Sequence, residues 1–427
     1  MKLSALYQIF LDCQSVTTDS RNCPDGSLFI ALKGESFNGN AFAKLALDSG
    51  CAFAIIDEAE YAVEGDKRYI LVDNCLQTMQ QLANYHRRQL GTRVIGITGT
   101  NGKTTTKELI SSVLCQAHNV LYTLGNLNNH IGVPLTLLAM TRDTEFGVVE
   151  MGASACGELA LLASVAEPNY GILTNIGLAH LEGFGGPEGV RRGKGELYDW
   201  LARTGGRVFV PANDPVLMSM AAERETLAAE CYPTTLADGV EHHLEGDYNR
   251  FNVAAAVAVG RYFGVDDERI RYAVGSYRPD NHRSQKIRTG QNTLILDCYN
   301  ANPSSMQASL VNFRQEPLEG CTRKILILGD MLELGELSRE AHEELGRLAA
   351  ESDLYCLVTY GENAKRTAVV AAAKGVKTLH ANNYREAADA LLNRIEPGDA
   401  LLVKASRGMA LEKVLEIFYA EQKDAEE

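Results

Sequence analysis

The stretch "GITGTNGKTTTK", Gly96–Lys107, decides how this chain reads. It is close to the phosphate-loop template G-x-x-x-x-G-K-[ST], except that Ile97 stands where the template has its first glycine. The flanks keep the template's context. "RVIGIT", Arg93–Thr98, reads as a buried strand, and beyond the loop Leu109, Ile110, Val113 and Leu114 mark one apolar face of a helix. A strand, a Gly-rich loop and a helix N-terminus in that order suit an anion. Gly99 and Gly102 let backbone N–H groups turn toward phosphate, and the helix end adds positive potential. Lys103 supplies a mobile charge and Thr104 a hydroxyl suited to Mg2+. The missing glycine shortens the loop without breaking it.

Outward from this unit the same pattern repeats. "FGVVEM", "YGILTNI" and "GRVFVP" are further buried-type strands separated by helical patterns, as in a mostly parallel sheet covered on both faces. Upstream, "SLFIAL", "CAFAIID" and "RYILVD" form a small α/β unit, joined to the loop unit by the helical stretch "CLQTMQQLANYHRRQL". Downstream, "TLILD", "KILILGD", "LYCLVTY" and "ALLVKAS" make a third α/β series. The chain is expected to divide into residues 1–78, 79–282 and 283–427. Its 427 residues agree with about three domains of roughly 150 residues each.

Bulk properties exclude several function classes. A formal charge of -14 argues against a surface for nucleic acid, while leaving room for a local basic pocket. Ten cysteines without a C-x-x-C pair fit reduced thiols better than a disulfide framework or a zinc site. No apolar run approaches the ~18 residues of a membrane span. The start "MKLSALYQIFLDCQ" has one Lys and an interrupted apolar stretch, so no signal peptide is expected. A cytoplasmic location follows as an expectation.

Acidic and imidazole side chains narrow the chemistry. Glu150 ends "FGVVEM" and His180 follows "YGILTNI", both at strand carboxyl ends, where ligands gather in open α/β sheets. A lone Glu is commonly a solvated surface residue and a lone His commonly structural, but two beside a phosphate loop suggest metal ligands. Lys194, in "RRGKGELYDW", reads from the residues alone as a solvated charge.

At this point "GTNGKTTTK", "VVEMGAS", "NIGLAHLEGFGG", "GVRRGKGEL", "YNRFNVAAAVA", "LDCYNANPSSM", "ILGDMLELGELSREAH" and "VKASRGMALE" together resemble the successive motifs of the Mur ligases, the ATP-dependent amide-forming enzymes of peptidoglycan assembly. The resemblance covers essentially the whole chain. It implies an α/β, three-domain Mur ligase architecture: a UDP-sugar-binding unit, a central mostly parallel P-loop ATPase sheet and a Rossmann-like C-terminal ligase domain. ATP and Mg2+ are the implied cofactors. UDP-N-acetylmuramoyl-tripeptide and D-alanyl-D-alanine are the implied substrates, joined through an acyl phosphate, by a chain expected to act as a monomer.

The same resemblance assigns roles. Gly99, Thr100, Asn101, Gly102, Lys103, Thr104 and Thr105 would hold the nucleotide phosphates, with Lys103 on the β- and γ-phosphates. Thr104 and Glu150 would take one Mg2+, and His180 would help hold a second. Lys194 falls where the family carries a carbamylated lysine, whose amine must first lose its proton. Asn249 and Asn252 match a segment that meets adenine, and Arg283 and Asp297 join the nucleotide contacts. Ser20, Arg21, Lys33 and Gly34 would hold the UDP-sugar end. Tyr299, Asn300, Asn302, Ser305, Lys404, Ser406 and Arg407 would face the incoming amine from the third unit. Short amides and hydroxyls there could read a small dipeptide by hydrogen bonds. Tyr248 stands where the family usually has His.

Three alternatives stay open on sequence: a ligase that adds glutamate to folates, the sister ligase that adds the third amino acid, and a non-catalytic nucleotide-binding scaffold. The uridine-type N-terminal unit speaks against the first. The second lacks its acidic-Asn-Pro-Arg signature, since "GENAKR" follows "LYCLVTY". Retention of Lys103, Thr104, Glu150, His180 and Lys194 together weighs against the third.

Overall fold

Among the described residues sixteen strands, alternating with helices, fall into three sheets. The structure is a computed structural model that describes residues 2–244, 246–279, 285–288, 292–315 and 320–426. The junction expected at 282/283, and with it Arg283, lies outside the described residues.

The first sheet runs β1 (Val16–Thr17), β2 (Leu28–Ile30), β3 (Phe53–Ile56), β4 (Tyr69–Leu71), every neighbouring pair parallel. The helix Cys75–Leu90 leads out of it. Asn74 caps its start, accepting the Gln77 N–H at 2.8 Å, and Gly91 ends it at φ 68°.

The second sheet contains β5 (Arg93–Thr98), β6 (Val120–Tyr122), β7 (Phe146–Glu150), β8 (Tyr170–Leu173), β9 (Arg207–Pro211) and β10 (Ala228–Tyr232). Its spatial order is β10-β9-β8-β5-β7-β6, all parallel. The chain leaves β5 toward one edge, through β6 and β7, and then returns across it to β8 and the other edge. That reversal opens a crevice beyond the carboxyl end of β5, where the Gly-rich loop begins. Ile97, the residue in place of the template glycine, is fully buried within β5, and its carbonyl accepts the Met151 N–H at 2.8 Å. The loop is short because the strand runs longer. Leu109, Ile110, Val113 and Leu114 are all fully buried, as the helical spacing predicts, and pack with the apolar side of the helix Asn249–Tyr262.

The third sheet contains β11 (Gln285–Arg288), β12 (Thr293–Asp297), β13 (Arg323–Gly329), β14 (Cys356–Tyr360), β15 (Thr378–Ala381) and β16 (Asp399–Lys404). The order is β11-β12-β16-β13-β14-β15, parallel except for β11. Asp297 and Lys404 are register partners at the ends of β12 and β16. The cysteines are free thiols, as expected.

Candidate active site

The loop after β5 owes its shape to two glycines and to the segment after β8. Gly99 sits at φ 142°, and a Cβ there would stand 2.0 Å from Thr174 Oγ1. Gly102, at φ 79°, starts the helix Lys103–Leu114, and a Cβ on it would come within 2.8 Å of Asn252 Oδ1. Any side chain at either position meets both backbone strain and a neighbour. Asn175 clamps Asn101 in both directions: its Oδ1 accepts the Asn101 N–H and its Nδ2 donates to the Asn101 carbonyl, each at 3.0 Å. The Thr100 N–H donates to the Asn175 carbonyl at 3.0 Å. Lys103 folds over this loop, its Nζ donating to the carbonyls of Gly99 (2.8 Å) and Thr100 (3.0 Å).

Three oxygen atoms beside the loop are buried and lack any hydrogen-bond partner: Thr98 Oγ1, Thr104 Oγ1 and Glu150 Oε2, of which the last two belong to the residues expected at a metal. Glu150 is fully buried at the end of β7. Its Oε1 accepts from Asn128 Nδ2 at 2.8 Å and its N–H donates to Thr123 Oγ1 at 3.0 Å. A buried carboxylate oxygen without a donor is costly, and a cation removes that cost. The pair therefore fits Mg2+. Among the described residues no group of three His, Cys, Asp or Glu side chains converges on a metal position. Phosphate oxygens and water would have to complete the coordination, the ordinary arrangement for magnesium in nucleotide sites.

Lys194 is the main departure from the residue-level reading. It is 2% exposed on the helix Pro187–Thr204, not solvated. Its Nζ donates to the Ala153 carbonyl at 2.9 Å and lies 5.1 Å from the centroid of the Phe184 ring. Burial, reinforced by the nearby charge of Lys103, lowers its pKa from 10.5 to about 7. A large share of neutral amine near neutral pH is what reaction with CO2 demands. His180 is also pushed down, chiefly by burial, although Glu333 opposes the shift. It occupies a left-handed backbone conformation (φ 51°) just before the short helix Leu181–Phe184.

One cavity of about 750 Å³ brings the second and third sheets to the same space. Ligand pockets commonly hold roughly 300–1,000 Å³. Thr100, Asn101, Gly102, Lys103, Thr105, Glu150, His180, Asn249 and Asn252 line it from the middle unit. Asp297, Tyr299, Asn300, Ser305 and Lys404 line it from the third. Thr104 and Lys194 are buried behind its wall. Lys404 Nζ is paired with Asp297 Oδ2 and also donates to the Asn300 carbonyl at 3.2 Å. Asn249 Oδ1 accepts from Asn252 Nδ2 at 2.7 Å, and Asn252 Oδ1 in turn accepts from Thr106 Oγ1 at 2.9 Å. Tyr248 is in the cavity wall as well.

Asn302 does not line the cavity. Its Nδ2 donates to Asn101 Oδ1 at 2.9 Å, and its Oδ1 accepts the Ser305 N–H at 2.9 Å, so it ties the third unit to the phosphate loop. Arg407 turns to Glu412 at 2.9 Å, outside the cavity, whereas Ser406 Oγ donates to the Ala301 carbonyl at 3.2 Å. The four residues expected at the UDP-sugar lie apart, on the first unit. Arg21 pairs with Asp19 at 2.8 Å and is strongly exposed; Lys33 bridges Asp57 (2.9 Å) and Glu58 (2.7 Å). Ser20 is half-buried near Arg21, and Gly34 is held under the exposed ring of Phe37. Sequence reasoning missed Asn128 and Asn175. The run "GNLNNH" before Glu150, dense in amides, was the signal available for the first.

Three domain profiles match the chain in succession. They are the Mur ligase family, catalytic domain, over residues 12–87; the Mur ligase middle domain over 97–236; and the Mur ligase, glutamate ligase domain, over 282–407. The chain is 36% identical to the UDP-N-acetylmuramoyl-tripeptide–D-alanyl-D-alanine ligase of Bacillus subtilis, across 94% of this chain and 92% of that protein. A crystal structure of MurF from Acinetobacter baumannii is similar with a TM-score of 0.84 at 27% identity, covering 98% of each chain. A MurF ligase from Thermotoga maritima in complex with ADP gives 0.81 at 27% identity, over 97% of this chain and 99% of that one.

Proposed function

The chain belongs to the Mur ligase family, and from that premise we infer that its cleft joins D-alanyl-D-alanine to the terminal carboxylate of UDP-N-acetylmuramoyl-tripeptide. It is an ATP-dependent ligase of peptidoglycan-precursor synthesis. The observation that carries the reading is the single cavity walled on one side by the phosphate loop and on the other by the third unit's Asn300, Ser305 and Lys404.

In this mechanism the loop N–H groups and the helix end hold the ATP phosphates, and Lys103 exchanges its two carbonyl partners for phosphate oxygens. Thr104 Oγ1 and Glu150 Oε2 would hold Mg2+, with His180 and a carbamylated Lys194 serving a second ion. Bound there, the metal supplies charge neutralisation on the transferring phosphoryl group. A carboxylate oxygen of the tripeptide attacks the γ-phosphorus, the bond to ADP breaks, and an acyl phosphate forms. The dipeptide amine then attacks the acyl carbon. A C–N bond forms, the C–O bond to phosphate breaks, and the amine gives up a proton. Asn300, Ser305 and Lys404 orient the dipeptide, while Ser20, Arg21, Lys33 and Gly34 hold the distant UDP-sugar end. Residues 1–78, 79–282 and 283–427 divide these tasks as substrate, ATP and ligase domains. A cytoplasmic monomer belongs to the same proposal; among the described residues no helix is long and apolar enough to cross a membrane.

Phosphate release over a substrate panel tests the reading. Turnover should require UDP-N-acetylmuramoyl-tripeptide together with D-alanyl-D-alanine, because an amine that leaves buried polar groups unpaired loses about 1–3 kcal/mol per group. Comparable turnover with D-Glu, L-Glu or diaminopimelate would place the chain at another Mur step. Turnover with folate and glutamate would make it the folate-type ligase.

A further inference from the structure

Resting on the ligase reading, we propose that Glu333 of the third unit is a positioning residue that fixes the ring of His180 in the middle unit, so that docking of the third unit and preparation of His180 are one event. Glu333 Oε2 contacts His180 Nδ1 across the gap between the two sheets. His180 lines the cavity; Glu333 does not. A carboxylate can only accept, so Nδ1 must carry the hydrogen. In the neutral ring the other nitrogen, Nε2, then keeps its lone pair. A carboxylate on the far nitrogen is the usual means of orienting a histidine that serves a metal or its water.

The two backbones are built for this meeting. Both residues sit in left-handed conformations, His180 at φ 51° and Glu333 at φ 62°, which side chains other than glycine rarely adopt. The Glu182 N–H reaches the Glu333 carbonyl at 3.5 Å, and Gly335 packs against Glu182. The turn carrying Glu333 is bolted to its own unit. Leu332 N–H donates to Ser406 Oγ at 2.9 Å, and Asp330, three residues before Glu333, accepts the Ala364 N–H at 2.7 Å. Nearby, Leu178 N–H donates to Ser304 Oγ at 3.2 Å, a further tie between the same units. Glu333 itself keeps 61% of its side chain exposed, so replacing it leaves the core untouched.

The test uses the full chain labelled with 15N-histidine, the His180 signals being identified by their loss in His180→Gln. Wild type should show His180 protonated on Nδ1. Glu333→Gln should move the ring toward the other tautomer and lower kcat about 10- to 100-fold, with the KM for D-alanyl-D-alanine changed less than twofold. Glu333→Asp, which keeps the carboxylate, should restore part of both. Unchanged ring shifts in Glu333→Gln would overturn the proposal, and so would unchanged kcat. So would a loss that tracks only a lowered melting temperature in both variants. A wild-type chain inactive with tripeptide and dipeptide would defeat the ligase reading instead, and the ring measurement would still decide the contact.

Discussion

Lys103 and Lys194 show how differently one side chain type is used. Lys103 rests on the carbonyls of its own loop, bonds that phosphate can replace. Lys103→Ala should therefore lower kcat/KM by about 10²–10³, as loss of a transition-state donor does. Its melting temperature should stay near wild type, because a partly exposed loop residue contributes little to stability. Near-normal phosphate release from the purified variant would remove Lys103 from the mechanism. Lys194 is sealed in, with a carbonyl and an aromatic ring as its company. If CO2 converts it to a carbamate, Lys194→Ala should be nearly inactive and regain part of its turnover when formate or acetate fills the vacated space. A fully active variant would return Lys194 to a structural role. From sequence, Lys103 and Thr104 are legible because their chemistry is local to one motif. The burial of Lys194 is not legible, since it depends on Ala153 and Phe184 folding over it.

At the scale of elements, most strands that could be read were apolar central ones, whose burial on both faces leaves continuous runs of Val, Ile and Leu, with Tyr69–Leu71 an edge strand that was read as well. Those that escaped were short or at an edge. Thr378–Ala381 and Ala228–Tyr232 are largely half-buried or exposed, Val16–Thr17 is two residues long, and Gln285–Arg288 is an antiparallel edge strand. The contacts joining elements were equally hidden, because they pair residues far apart in the chain. Asn302 is the clearest case. It caps the helix Pro303–Gln315 through Ser305 and grips Asn101. Asn302→Ala should cost about 1 kcal/mol as a lost cap. It should also weaken ADP binding about 5- to 10-fold, the measure of one lost hydrogen bond. Titration with a fluorescent ADP analogue checks this, and wild-type affinity would show that the grip on Asn101 is idle.

Across the whole molecule, the first unit is fastened to the second by His86. Its Nε2 must donate to the Met140 carbonyl at 2.9 Å, which leaves Nδ1 to accept from Tyr7 OH at 3.1 Å. Burial lowers the His86 pKa below its ordinary 6.5. The unfolded chain thus takes up a proton that the folded one resists. The contribution of His86 to stability is intact above pH 6.5 and is lost as pH falls through the folded pKa. His86→Leu should flatten the fall in stability as pH drops below 6.5, measured by urea unfolding. Parallel curves for the variant and wild type would assign the acid sensitivity elsewhere. The division of the cleft between two sheets has a consequence of its own. Asn101 exchanges hydrogen bonds in both directions with Asn175 of its own sheet's unit, and its side chain accepts another from Asn302 on a different sheet. The phosphate loop therefore has its full set of hydrogen bonds only while the second and third sheets are together. With the two sheets apart, Asn101 would lose the Asn302 bond and keep only the partners on its own sheet, so the shape of the phosphate loop is shared property of two units.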